Sequence, residues 1–199
     1  MILLVDFNDS FTFNIASYLD VIAKKFHSEL VVVSHKEFSD HYIANVKAVV
    51  LGPGPGHPSE YKKVYPFIHS YLKESIPIMG ICLGHQILME IYGLDIGRSQ
   101  TIAHAEEVEV TLPDWECFFK SERLKEFTIQ RYNSLSAKGD SPLLKLHKND
   151  CNEVIMSYRE NLFSIQYHPE SVGTSCPWTF FRPLEYFLYN KWDECKNQT

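Results

Sequence analysis

Four short segments of this chain hold an unbroken apolar run: "MILLVD" (1–6), "ELVVVS" (29–34), "KAVVLG" (47–52) and "IPIMGI" (76–81). A strand with one wet face alternates apolar and polar residues, whereas these do not, so each reads as a strand covered on both sides. Helix-length segments separate them. Residues 10–26, "SFTFNIASYLDVIAKKF", carry Phe11, Ile15, Tyr18, Leu19 and Ile22 at helical spacing, with Ser10 as the expected cap. Residues 61–75, "YKKVYPFIHSYLKES", read as a second helix whose first half is weakened by Pro66. Buried strands joined by helices form a parallel sheet, and right-handed crossovers make it open and doubly wound. The predicted class is therefore α/β: an open, mostly parallel doubly wound sheet with helices on both faces.

After Gly93 the rhythm changes. "AEEVEVTL" (105–112), "EFTIQRY" (126–132), "SPLLKLH" (141–147), "NEVIMSY" (152–158) and "LFSIQYH" (162–168) are short strand-like runs and predict a mostly antiparallel extension of the sheet. "WTFFRPLEYFLYNKW" (178–192) predicts a closing helix, begun or interrupted near Pro183, with its aromatics in the core. Residues 1–192 read as one domain, and 193–199 as a frayed tail.

Ligands of such sheets sit beyond the carboxyl ends of the strands. That rule singles out "DFNDS" after the first strand, "GPGPGHP" (52–58) after the third and "CLGHQ" (82–86) after the fourth. Gly80-x-Cys82-x-Gly84 between a strand and a helix has the form of a nucleophile elbow. The glycines leave room for a tight turn, and the amides at the helix start near Leu83 favour a thiolate and can bind an oxyanion. A buried structural cysteine is the competing reading.

A thiol nucleophile needs a base and a group to orient it. "QYHPES" offers His168 and Glu170, which share a side in an extended segment; taken singly, His-Pro-Glu reads more readily as a surface turn, and only together with the elbow does it point to a Cys-His-Glu triad. In the proline loop Pro53, Pro55 and Pro58 lack N–H groups, so Gly52, Gly54 and Gly56 hold the donors; a stiff connection explains the loop as well.

Bulk properties exclude several classes. The formal net charge is −6 with no basic run, so nucleic acid is not an expected partner. No apolar run approaches the ~20 residues that span a bilayer, and "MILLVDFNDS" lacks a cationic leader. The five cysteines are scattered and never spaced as CxxC, which argues against a disulfide framework or a zinc site and fits the cytoplasm. No two histidines have metal-ligand spacing on a credible helix. His85 is expected to pack beneath the elbow and His57 to line the rim, and His27, His35, His41, His69 and His147 read as surface residues.

Together, "DFNDSFTFN" (6–14), "GPGPGHP" (52–58), "GICLGHQ" (80–86), "YNSL" (132–135) and "IQYHPES" (165–171) resemble the class I (triad) glutamine amidotransferases, in the family's order and over nearly the whole chain. The opening motif points to the glutaminase subunits of anthranilate synthase or aminodeoxychorismate synthase. The resemblance implies a flavodoxin-like fold with Cys82 as nucleophile, His168 as general base and acid, and Glu170 as its orienter. It implies an oxyanion hole from the N–H groups of Gly54 and Leu83, and glutamine contacts from Gly54, Gly56, Gln86, Ser134 and Leu135. No metal or cofactor is implied. The implied partners are L-glutamine and a chorismate-binding synthase subunit, in a heterodimer or larger complex.

The chain departs from the family pattern at Phe7 and Asn8, at Gly52, at Asn133 and after Ser171, where the usual Thr-Glu-x-Gly run is missing. It also has His104-Ala105-Glu106 where His-Gly-Lys is usual, which reverses a charge where the family meets its synthase. A stand-alone cysteine hydrolase of γ-glutamyl or dienelactone type, and a non-catalytic structural subunit, are the competing functions.

Overall fold

The computed structural model describes residues 1–100, 102, 105–119 and 126–196. Its main sheet holds nine strands. They are β1 (Ile2–Asp6), β2 (Leu30–Ser34), β3 (Ala48–Leu51), β4 (Ile78–Ile81), β5 (Asp95–Arg98), β8 (Leu135–Lys138), β9 (Lys145–Lys148), β10 (Glu153–Arg159) and β11 (Leu162–Ile165). The order is β2-β1-β3-β4-β11-β10-β8-β5, and β9 pairs with β10. Pairing is parallel from β2 through β11 and antiparallel beyond.

The apolar runs alternate between two cores. Ile2, Leu4, Ala48, Val50, Met79 and Ile81 face one side, where helices α1 (Thr12–Lys25) and α5 (Trp178–Lys196) bring Ile15, Leu19, Phe180 and Phe181. Leu3, Val5, Val49, Leu51 and Ile78 face the other, where α2 (Tyr65–Lys73) and α3 (Leu83–Ile91) bring Ile68, Tyr71, Ile87 and Leu88. Each such side chain contributes about 1.5–3 kcal/mol on burial, which is why both faces must be covered. At the edge, β2 is only half-buried, and Val32 is exposed.

Four differences from the sequence reading have local causes. The strands β6 (Glu106–Thr111) and β7 (Glu126–Arg131) form a separate two-stranded sheet rather than part of the extension. The extension instead includes β5, which is half-exposed, and β8, whose Ser136 and Ala137 are buried; the short sequences "DIGR" and "LSAK" carry no apolar strand pattern. Ser10 does not cap α1: Phe11 holds the cap position without a side-chain bond, and Asp9 Oδ1 accepts from the Phe11 amide at 2.8 Å. A 3₁₀ segment, Pro58–Val64, precedes α2, and Pro66 lies in the first turn of α2, where its missing N–H costs nothing.

A short helix α4 (Glu116–Phe119) packs Phe118 against Tyr186 and Phe187 of α5, and Phe119 lies against Phe163 of β11. Pro183 lies inside α5, which extends to Lys196. Trp178 is 44% exposed and sits edge-on to Tyr18 rather than in the core. No helix among the described residues is long and apolar enough to cross a membrane.

Candidate active site

Register brings four strand ends together. Val5 pairs with Leu51, Leu51 with Gly80, and Ile81 with Ile165, so the loops that follow β1, β3, β4 and β11 leave from one edge.

Cys82 is the hinge between β4 and α3, with φ 51° and ψ −104°. A non-glycine residue held there is strained by about 1–3 kcal/mol, and the strain persists because the neighbours permit nothing else. A Cβ on Gly80 would lie 2.7 Å from the Gly84 carbonyl oxygen, and one on Gly84 would lie 2.7 Å from the Leu51 carbonyl carbon. The Cys82 amide donates to Ile165 O at 2.9 Å and the Gly84 amide to Gly52 O at 3.1 Å. The Leu83 amide between them is in the first helical turn, where the helix supplies no acceptor.

His168 and Glu170 are buried, and His168 Nδ1–H donates to Glu170 Oε1 at 2.7 Å. His168 Nε2 has no hydrogen-bond partner among the described residues, nor has Glu170 Oε2. Burial would lower the imidazole pKa, but the Cys82 sulfur and the Glu170 carboxylate outweigh it and hold His168 well above its ordinary value. Phe11 and Tyr132 close over the ring, with centroids at 5.5 and 4.8 Å. The turn is braced from β7: His168 N donates to Gln130 O at 2.9 Å and Thr174 Oγ1 donates to His168 O at 2.7 Å.

A cavity of about 180 Å³ opens beside the sulfur. Gly54, Gly56, Cys82, Gln86, Ser134 and Leu135 line it, together with Pro55, Tyr132 and Asn133. His168, Glu170 and Leu83 are not among its lining residues. Gly54 must be small, since a Cβ there would lie 2.5 Å from Phe7 Cβ and 2.6 Å from Leu83 Cδ2. Gly56 takes φ +79°, which suits glycine.

Other expectations resolve differently. His57 caps the 3₁₀ segment, accepting from Ser59 N at 3.2 Å, and does not line the cavity. His35 and His147 are half-buried: His35 stacks on Phe7 and His147 Nε2–H donates to Thr111 O at 2.8 Å. His85 lies beneath the elbow, fully buried, with Nε2–H donating to Val154 O at 3.1 Å and Ser164 Oγ 2.7 Å from Nδ1. His104 lies outside the described residues.

Asn133, a departure expected at the pocket floor or rim, lines the cavity, and so does Tyr132, to which the sequence reading gives no role although it stands in the quoted "YNSL". Phe11 and Gln166 have no place in that reading of the site either. A signal for Gln166 exists, because it alternates with His168 and Glu170 along an extended segment.

The family model for glutamine amidotransferase class-I matches residues 3–181. The chain belongs to the class-I glutamine amidotransferase family. Among curated relatives, the anthranilate synthase component 2 of Cyanidium caldarium is 32% identical, covering 87% of this chain and 92% of the relative. A Schizosaccharomyces pombe protein provisionally named aminodeoxychorismate synthase is 37% identical over 87% of this chain, which spans 24% of that longer protein. The fold is also that of a glutamine amidotransferase structure from Thermotoga maritima, with a TM-score of 0.70, 16% identity, and 99% and 84% of the two chains covered. Amidotransferases of this class hydrolyse glutamine, so this chain is a glutamine-hydrolysing enzyme.

Proposed function

We propose that residues 1–192 act as one glutaminase domain that supplies ammonia to a chorismate-binding synthase subunit making anthranilate or 4-amino-4-deoxychorismate. The relatives' names support the partner class. The observation that carries the chemistry is the buried His168 Nε2, unspent on any described protein group, beside a sulfur lifted on a strained elbow.

In this reading the Cys82 thiolate attacks the side-chain carbonyl carbon of glutamine. The oxyanion gathers its charge against the N–H groups of Gly54 and Leu83, which need no reorganisation. His168, held protonated by Glu170 and the thiolate, gives its Nε2 proton to the leaving amine, and ammonia departs. Water, deprotonated by the same imidazole, then cleaves the thioester to glutamate and restores Cys82. Gln86, Ser134, Leu135 and Gly56 hold the amino-acid end of the substrate in the cavity. The described cysteine side chains Cys82, Cys117, Cys151 and Cys176 are free, which fits a reducing cytoplasm.

The test is glutamate release by the purified chain with and without a candidate chorismate-binding subunit. Cys82→Ser should abolish it, and a glutamine-analogue chloroketone should label Cys82 in the assembled pair. Full activity in Cys82→Ser would remove the nucleophile assignment.

A further inference from the structure

Gln166 has no part in the mechanism above, yet it is 1% exposed and touches the sulfur. Its Nε2 lies 3.8 Å from Cys82 Sγ, within hydrogen-bond range for sulfur. Its Oε1 accepts from Gln86 Nε2 at 3.1 Å. Gln86 Nε2 also donates to Leu135 O at 3.0 Å. The same carbonyl accepts from Asn133 Nδ2 at 2.8 Å, and Asn133 Oδ1 accepts from Arg131 Nε at 2.9 Å.

Only one polarity satisfies this chain. A guanidinium only donates, so Asn133 must turn its oxygen to Arg131 and its amine to Leu135. The Leu135 carbonyl only accepts, so Gln86 presents its NH₂ group there. That NH₂ can only donate to the next amide, so Gln166 presents Oε1 to it and is left with its own NH₂ facing the sulfur. The amide orientation is thus set by neighbours with a single role each, not by a free choice of rotamer.

We propose that Gln166 is a further catalytic residue of this site: its Nε2–H donates to the Cys82 sulfur, favouring and aiming the thiolate, while its Oε1 fixes the Gln86 carboxamide with the oxygen left for substrate. The proposal rests on the glutaminase reading for its substrate, but the contact with sulfur stands independently of it. A thiolate is a stronger acceptor than a thiol, so a buried N–H donor gains more from the anion. Asn133, a departure from the family pattern, belongs to the same chain and holds the far end of it through Arg131.

The experiment measures alkylation of Cys82 by iodoacetamide, read by mass spectrometry on the peptide containing Cys82, across pH 5 to 9. No glutamine or synthase is present, so the glutaminase reading can fail while this result stands, and glutamate release by the unaltered complex tests that reading separately. Gln166→Leu keeps the shape and removes both polar ends. Gln166→Glu keeps the acceptor for Gln86 and, once ionised, loses the donor. Both should alkylate about tenfold more slowly near neutral pH, with the half-maximal pH moved upward and the thermal midpoint measured alongside. A role confined to packing would leave the pH profile where it is. Rates and pH profiles matching the unaltered protein in both variants would overturn the proposal. Should neither variant fold, the Gln166 side-chain amide resonances of the ¹⁵N-labelled unaltered chain decide: they must move as the Cys82 thiol titrates, and stationary resonances overturn it.

Discussion

Glu170 Oε1 lies 2.7 Å from His168 Nδ1, with both side chains buried. Together with the Cys82 sulfur, this carboxylate keeps the imidazole protonated above its ordinary range, against the burial that would discharge it. Under the proposed mechanism the leaving amine takes its proton from that imidazolium. Removing the negative charge lowers the pH at which His168 loses its proton. Glu170→Gln should therefore shift the alkaline limb of glutamate release to lower pH, and should lower kcat by about 10²-fold. An unchanged alkaline limb would show that Glu170 does not act on His168.

The elbow depends on bare glycines. A methyl at Gly84 would drive into the Leu51 carbonyl, which is backbone in the centre of the sheet and cannot yield. Gly84→Ala should destabilise the protein by about 3 kcal/mol or more in urea unfolding. Gly97 offers the control, since nothing lies within 4 Å of a Cβ built there. Gly97→Ala should stay within about 0.5 kcal/mol of the unaltered protein. Equal losses in the two variants would contradict the elbow argument.

The parallel half of the fold was legible because its strands are covered on both faces, and continuous apolar runs such as "KAVVLG" have few other uses. The end-of-strand rule then puts Cys82, Gly54 and the motif after β11 on one edge. Legibility failed where a strand is short and carries no apolar run. β5 and β8 are held by pairing with each other and by long-range neighbours, and "DIGR" looks like a turn. The ribbon of β6 and β7 has an alternating pattern that says strand but not which sheet. In the site, Cys82 announced itself through glycine spacing. Gln130 and Phe11 could not, because they meet His168 through contacts made across 38 residues or more, which no local spacing records, and Thr174 bonds the His168 carbonyl from six residues on through a turn with no motif of its own.

His85 ties stability to pH. It is fully buried, and burial lowers its pKa to about 3 against an ordinary value of 6.5. The unfolded chain therefore binds a proton that the folded one refuses between those two values. Stability is complete above about pH 6.5 and is lost as pH falls toward about 3, a change on the order of 4–5 kcal/mol. His85→Gln should flatten the slope of unfolding free energy against pH in that window, even if it costs stability at pH 7 by disturbing the Ser164 and Val154 bonds. Urea midpoints at pH 4.5, 5.5 and 7 measure the slope. A slope as steep as that of the unaltered protein would assign acid sensitivity elsewhere.

Phe11 gives the opening motif a task. Asp6 Oδ1 accepts from the Asn8 amide at 2.9 Å and from Thr12 Oγ1 at 2.7 Å, and Asp9 Oδ1 accepts from Phe11 N at 2.8 Å. These bonds fold the loop after β1 so that the Phe11 ring packs on both Tyr132, at 5.0 Å, and His168, at 5.5 Å. The rings it packs on are those of Tyr132 and His168, so its effect runs through the position of the imidazole. Loosening a catalytic group by about 1 Å costs up to ~10²-fold in rate. Phe11→Ala should lower kcat for glutamate release by roughly ten- to a hundredfold while KM stays within about twofold, and Phe11→Tyr should recover most of the loss by restoring the ring. A rise in KM with kcat intact would move Phe11 from holding the imidazole to binding the substrate.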